Sequence, residues 1–312
     1  MNIVFMGTPD FAVPTLKALL KTGHNIKAVF SQPDKPKGRG YKLTPPPVKN
    51  CALENNIEVF QPQSFKKGED VEKSIQILKD IAPDYIVVVA YGKLLPKEVL
   101  DISKCGCINV HASLLPKYRG AGPIQWSVLN GEKETGVTTM LMAEGLDTGD
   151  MLLKASTEIG ENETASELHD RLSVIGADLL IKTLEELEKG NITPQKQDDS
   201  LSCYAPMLSK DMCPIDFSKS VTEIHNQIRG LSDWPCATAI LNDKRIKIYK
   251  SEIISTNDKN DNFGQIINEK DLTVLCGTGS LRILELQAEG SKRMKTADYL
   301  RGNPVEKNQM FR

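Results

Sequence analysis

Six consecutive residues, Tyr85-Ile86-Val87-Val88-Val89-Ala90, are apolar without interruption. Side chains of a strand alternate between two faces, so a strand with no polar position needs cover on both. Parallel sheets flanked by helices supply that cover, and the surrounding sequence has the matching rhythm of short apolar runs separated by helical patterns. Ile3–Met6 and Ile26–Phe30 read as strands. Between them Leu16, Leu19 and Leu20 share a helical face, Pro14 suits a first turn and Gly23 suits a stop. A short helix is expected near 48–54, a strand at 57–60 and a helix around 71–80. Thr164 and Glu167 have capping-box spacing, and Leu168, Leu172, Ile175 and Leu179 repeat on one face of a helix that runs to Gly190.

Residues 190–207 turn polar and proline-containing, which reads as a linker. Beyond it, strand-like runs at 236–241, 245–250, 264–268, 272–276 and 281–286, with one helical pattern at 220–230, point to a small barrel. The expected fold class is α/β: a Rossmann-like, mostly parallel sheet in residues 1–189 and a smaller OB-like β-barrel in residues 208–312. A length of 312 residues agrees with two domains of ~150 each.

The charge total, 39 − 41 = −2, excludes a uniformly basic nucleic-acid coat, but the distribution is uneven. Residues 1–50 hold eight Lys or Arg against two acids, a net of +6; residues 151–200 hold five against eleven, a net of −6. The basic excess sits in Lys35, Lys37, Arg39, Lys42 and Lys49, on a proline- and glycine-rich stretch that is either a phosphate contact or a solvated cluster. Lys244, Arg245, Lys247 and Lys250 form a second group, and alternation with Ile246 and Ile248 puts Arg245 and Lys247 on one face. Lys292, Arg293 and Lys295 form a third. Seven cysteines with no CxxC pair, and only four histidines, leave no disulfide frame and no metal site to expect; Cys105 and Cys107 read as buried free thiols. The longest apolar run, Tyr85–Tyr91, falls far short of the ~18 residues of a membrane span, and the first residues enter a strand without a cationic leader, so a cytoplasmic protein is expected.

Chemistry has few places to live. Gly7 after the first strand invites a dinucleotide reading, but GTPDFAVP lacks the further glycines, and Gly277-Thr278-Gly279 lies among the strands of the second domain. Asn109-Val110-His111 ends an apolar strand, where the period of two places Asn109 and His111 on one face. An amide donor beside an imidazole can hold a developing oxyanion and handle a proton; a loop-capping Asn beside a hydrogen-bonded boundary His is the alternative. The loop at 111–126 carries two prolines and two glycines, which fix backbone donors in place. Gly145-Leu146-Asp147-Thr148-Gly149 sets one acid between glycines, either a proton-relay partner for the imidazole or an ordinary Asx turn.

These residues carry a resemblance. NVHASLLPKYRG (109–120) with GLDTGDML (145–152) resembles the formyltetrahydrofolate-dependent formyltransferases, and FMGTPDFAVP (5–14) with QPDKPKGRGYKLTPPPVK (32–49) extends the likeness over nearly the whole chain. The resemblance implies the formyltransferase fold and the catalytic trio Asn109, His111 and Asp147, with Asp147 facing a charged His111 across an opposite-charge contact. It implies 10-formyltetrahydrofolate as co-substrate and no metal, with folate contacts at Ser113, Leu114, Leu115 and Pro116 and also at Tyr91, Gly92, Leu94 and Leu95. Initiator methionyl-tRNA is the implied acceptor, met by Lys35, Lys37, Arg39, Lys42 and Lys247, with a monomer expected. An acceptor amine on a sugar nucleotide, hydrolysis of the same folate, and a tRNA binder without catalysis are the rivals. An intact trio speaks against the last, and the basic stretch against the other two.

Overall fold

The first five residues of the apolar run form the strand Tyr85–Val89, buried at every position, while the sixth, Ala90, is exposed in the turn that follows. It lies at the centre of a seven-stranded sheet in the order Met151–Glu158, Glu134–Leu141, Cys107–His111, Tyr85–Val89, Asn2–Gly7, Asn25–Phe30 and Val59–Phe60. Cys107–His111 and the four strands beyond it pair parallel, whereas Glu134–Leu141 runs antiparallel to Cys107–His111. The structure is a computed structural model that describes residues 1–37, 42–66, 68, 70–259 and 261–312.

Inter-residue contacts divide the chain into two units: Met1–Gly120 with Gly136–Thr157 and His169–Tyr204, and Ala121–Thr135 with Glu158–Leu168 and Ala205–Arg312. In the first unit, Val4, Met6, Ala28, Phe30, Ile86 and Val88 pack with Ile75 and Leu78 of the helix Asp70–Ile81. Against the strand that carries Asn109 and His111, the helix Ala165–Glu188 presents Gly176, where a Cβ would lie 3.0 Å from Val110 Cγ1. A glycine there lets helix and strand approach closely, which fixes Val110 and therefore the opposite face that its two neighbours share. The capping box is formed: the Glu167 N–H donates to Thr164 Oγ1 at 3.3 Å and the Thr164 N–H donates to Glu167 Oε2 at 3.0 Å.

The second unit holds an antiparallel sheet in the order Ala237–Leu241, Lys244–Lys259, Thr278–Ala288, Thr273–Leu275 and Ile266–Asn268, with Met294–Lys295 also paired to Thr278–Ala288. Residues 308–312 bridge its two outer strands. Ile240 and Arg312 exchange backbone hydrogen bonds of 2.7 and 2.9 Å, while the Phe311 N–H donates to the Gly264 carbonyl and the Ile266 N–H to the Gln309 carbonyl. The second strand is far longer than the run 245–250, because its polar continuation to Lys259 follows bulges rather than a turn. Ile246 and Ile248 are fully buried and Arg245 and Lys247 exposed, as alternation requires. Each buried isoleucine contributes on the order of 1.5–3 kcal/mol.

Cys107 is buried, but Cys105 is exposed, against the expectation for it; it sits in the turn before the strand, where only one face is covered. Among the described residues no helix is long and apolar enough to cross a membrane, and no cluster of three His, Cys, Asp or Glu side chains is placed to hold a metal ion.

A buried histidine gives the second unit a pH dependence. His225, on the helix Val221–Gly230, has Nδ1 2.9 Å from Ser251 Oγ and Nε2 3.0 Å from the Glu161 carbonyl oxygen. Burial holds its pKa below the ordinary value of 6.5, outweighing the Glu161 carbonyl that favours the charged ring. The unfolded ring therefore takes a proton that the folded ring resists, and stability present above about pH 6.5 is lost as the pH falls through the folded-state value. His225→Asn is expected to flatten the slope of unfolding free energy between about pH 7 and 5 in urea titrations; an unaltered slope assigns it to other groups.

Candidate active site

The strand Cys107–His111 delivers three side chains to one face: Cys107, Asn109 and His111. Its carboxyl end lies beside that of Tyr85–Val89, the edge where open α/β sheets bind ligands. His111 is 6% exposed. Its Nε2 lies 2.9 Å from the Tyr118 carbonyl oxygen, and its Nδ1 lies 3.7 Å from Asp147 Oδ2. The Tyr118 carbonyl can only accept, so Nε2 carries the hydrogen of that bond. The contact with Asp147 is an ion-pair distance and too long for a hydrogen bond, so Nδ1 remains the edge able to turn toward a substrate oxygen. Asp147 has left-handed backbone, φ 52°, and its Oδ2 accepts the Gly120 N–H at 2.8 Å. The half-buried Asn109 carboxamide makes no hydrogen bond to the described residues.

The loop after His111 is pinned from below. The Thr138 hydroxyl donates to the Ser113 carbonyl at 2.7 Å and accepts the Leu115 N–H at 3.1 Å; Ser113 Oγ donates to the Lys117 carbonyl at 2.6 Å. Ser113 and Leu115 are fully buried, so only Leu114, Pro116 and the backbone of that stretch have surface to offer. In the turn after Tyr85–Val89, Tyr91 is a core residue at 1% exposure, with its hydroxyl unpartnered among the described residues and its pKa raised by burial. Leu95 is buried, whereas Gly92 and Leu94 are exposed. The Gln32 carboxamide donates to the carbonyls of Tyr91 and Gly92 at 3.0 and 3.2 Å and holds this turn in place.

A cavity of about 640 Å³ opens at the amino end of the same strand, lined among others by Leu100, Ser103, Cys107, Leu141, Met142 and Glu144. Its volume is that of a small-ligand site. Burial pushes the Cys107 thiol up to about 11, against the lowering effect of Ser103, so this group serves as a neutral wall. One strand face therefore runs from the cavity at Cys107 past Asn109 to His111, and the segment that leaves the cavity at Glu144 carries Asp147 three residues later. Sequence reasoning missed the cavity, because its lining comes from separate segments, 97–107 and 141–144, that share no motif.

The basic stretch divides by partner. Lys35–Lys37 pairs with Lys42–Thr44 as an antiparallel ribbon. Lys35 is exposed and donates to Gln32 Oε1 at 3.0 Å; Arg39 and the side chains of Lys37 and Lys42 lie outside the described residues. Lys49 is committed to Asp34, at 2.9 Å, and to Gln61. Lys250 pairs with Glu167, and Arg293 with Asp233 and Glu285. Lys244, Arg245 and Lys247 are exposed without an ion pair to the described residues.

Residues 1–184 match the formyl transferase family model, and residues 207–304 match the formyl transferase C-terminal domain. The chain belongs to the formyl transferase family. Among the relatives of this formyl transferase is the methionyl-tRNA formyltransferase of Clostridium novyi (strain NT), 55% identical over 308 residues that cover 98% of each chain. That of Citrifermentans bemidjiense is 51% identical over 308 residues, 98% of this chain and 95% of the relative. The fold is shared with the sugar 3N-formyl transferase WlaRD, solved in the presence of dTDP and 5-N-formyl-THF, at TM-score 0.66 and 24% identity over 94% of this chain and 99% of that one. HypX from Aquifex aeolicus, solved with tetrahydrofolic acid, superposes at TM-score 0.62 and 14% identity over 96% of this chain and 46% of that one.

Proposed function

We infer that this formyl transferase moves the formyl group of 10-formyltetrahydrofolate to the α-amino group of initiator methionyl-tRNA, acting as a single chain in the cytoplasm. Residues 1–189 carry the chemistry, residues 208–312 help hold the tRNA, and 190–207 join them. The observation that carries this reading is the His111–Asp147 pair at the end of a strand that starts in a ligand-sized cavity. The family and the names of its half-identical, full-length relatives assign the substrates to that chemistry.

The folate supplies the formyl carbon. In this reading its flat ring system occupies the cavity between Leu100, Cys107 and Met142, and the rest of the donor runs along the stretch Ser113, Leu114, Leu115 and Pro116 and the turn at Tyr91, Gly92, Leu94 and Leu95. The free amine attacks the formyl carbon, a new C–N bond forms, and the carbonyl oxygen takes up negative charge. Asn109 and the Nδ1 edge of His111 donate to that oxygen, a contact worth ~10²–10³ in rate per donor. Asp147 faces the cationic His111 and, through a water, accepts the proton that the amine loses. The bond from the formyl carbon to the folate nitrogen then breaks, and that nitrogen picks up a proton.

Lys35, Lys37, Arg39, Lys42 and Lys247 provide the phosphate contacts. Lys247 lies on an exposed face above fully buried Ile246 and Ile248, so its removal leaves the fold intact. Lys247→Ala is expected to weaken tRNA binding and to reduce the slope of log affinity against log salt by about 0.7–0.9. An unchanged slope removes the hairpin from the interface.

The deciding experiment incubates the protein with 10-formyltetrahydrofolate and charged initiator tRNA, with an amino-sugar nucleotide and water alone as parallel acceptors. Formylmethionyl-tRNA as the product supports the assignment. Formylation of the sugar, or release of formate alone, overturns it.

A further inference from the structure

Gln197 lies in the polar stretch after the long helix, yet its carboxamide makes three hydrogen bonds. Its Nε2 donates to the Asp147 carbonyl at 2.7 Å and to the Gly149 carbonyl at 2.8 Å, while its Oε1 accepts from Arg119 Nε at 2.9 Å. Both donors and one acceptor lone pair are used, which fixes the orientation of the amide. Arg119 is itself anchored: Nη2 pairs with Asp199 at 2.7 Å and its backbone N–H donates to the Cys203 carbonyl at 2.9 Å. The next residue, Gly120, gives its N–H to the Asp147 carboxylate.

Asp147 is thus held at both ends from one dipeptide, directly at the carboxylate and through Gln197 at the backbone. Such a grip is needed because a φ of 52° is one that residues bearing a Cβ rarely adopt. At Gly149 the turn packs so closely that a Cβ would lie 1.7 Å from the Leu141 carbonyl oxygen, so the loop has no slack on that side. We propose that Gln197 is a positioning residue for formyl transfer: it holds the 145–149 turn so that the Asp147 carboxylate faces the His111 ring. The inference rests on the reading of His111 and Asp147 as the proton-handling pair.

Gln197→Met keeps the length of the side chain and removes both donors. The kcat of the purified full chain is expected to fall about 10- to 100-fold, with KM for donor and tRNA within about two-fold of wild type and the unfolding midpoint little changed. In an Asp147→Asn background the same substitution should change kcat less than about three-fold, because no carboxylate is left to aim. Wild-type kcat in Gln197→Met, or an equal loss in both backgrounds, overturns the inference, the latter by making Gln197 merely structural. Wild-type turnover by Asp147→Asn instead brings down the pair itself, and the inference with it. Should Gln197→Met not fold, Arg119→Lys removes the Nε donor that orients Gln197; a smaller kcat loss with the same dependence on Asp147 is expected, and an unaltered kcat overturns the proposal.

Discussion

Replacing Asp147 by Asn is expected to lower the rate of formyl transfer by about 10²–10⁴ and to leave the protein folded. The substitution changes charge but not shape, and the amide oxygen of Asn can still accept the Gly120 N–H that Asp147 accepts at 2.8 Å. What is lost is the negative charge 3.7 Å from His111 Nδ1, which in the proposed mechanism accepts the amine proton and balances the ring. Binding energy for donor and tRNA comes from other residues, so KM for both stays near wild type while kcat collapses. His111→Ala falls in the same range, and the double variant is little worse than either single one, because the two groups act as a unit. Single-turnover formylation at saturating donor, with thermal unfolding as control, measures this. A folded Asp147→Asn protein at wild-type turnover takes the carboxylate out of the mechanism.

How much of this was legible beforehand depended on whether a residue's environment was written into its neighbours. The strand Tyr85–Val89 was, because five large apolar side chains in a row need cover on both faces of a sheet. Asn109 and His111 were as well, since the period of a strand assigns their face without any tertiary knowledge. Asp147 was legible only as an acid between glycines; its approach to His111 depends on a loop that returns across thirty-six positions, and the family likeness, not spacing, supplied the pairing. Gln197 was invisible for the opposite reason. Its surroundings, Pro194 to Ser202, have the composition of a linker, and composition does not register that Met151 and Gln195 bridge as strands or that Arg119 reaches into the segment. A charge count also does not say which cations are already paired: Lys49 meets Asp34, Lys250 meets Glu167, and Arg293 meets Asp233 and Glu285, contacts that only the fold reveals. Lys247 is exposed because its strand neighbours Ile246 and Ile248 turn inward, a pattern that alternation does reveal.

Asn109→Ala is the second large effect, a fall in kcat of about 10²–10³. Its carboxamide is half-buried, has no hydrogen bond to the described residues, and shares a face with His111. A polar group kept unpaired in a partly dry site costs stability, and that cost is offset only when a ligand meets it. The charge that develops during attack meets it better than the ground-state carbonyl does, so the loss appears in kcat rather than in KM. Asn109→Asp separates the donor from the shape: the isosteric carboxylate fills the same space, offers no hydrogen and repels the oxyanion, so its turnover should be no higher than that of Asn109→Ala. Since an amide on this strand face supports neither Val110 packing nor the pairing of Asn109 with Met140, both variants should unfold within a few degrees of wild type, about the shift of a 1 kcal/mol change. If Asn109→Asp is as active as wild type, the oxyanion is held by His111 or by backbone donors, and the amide serves only to fill the strand end.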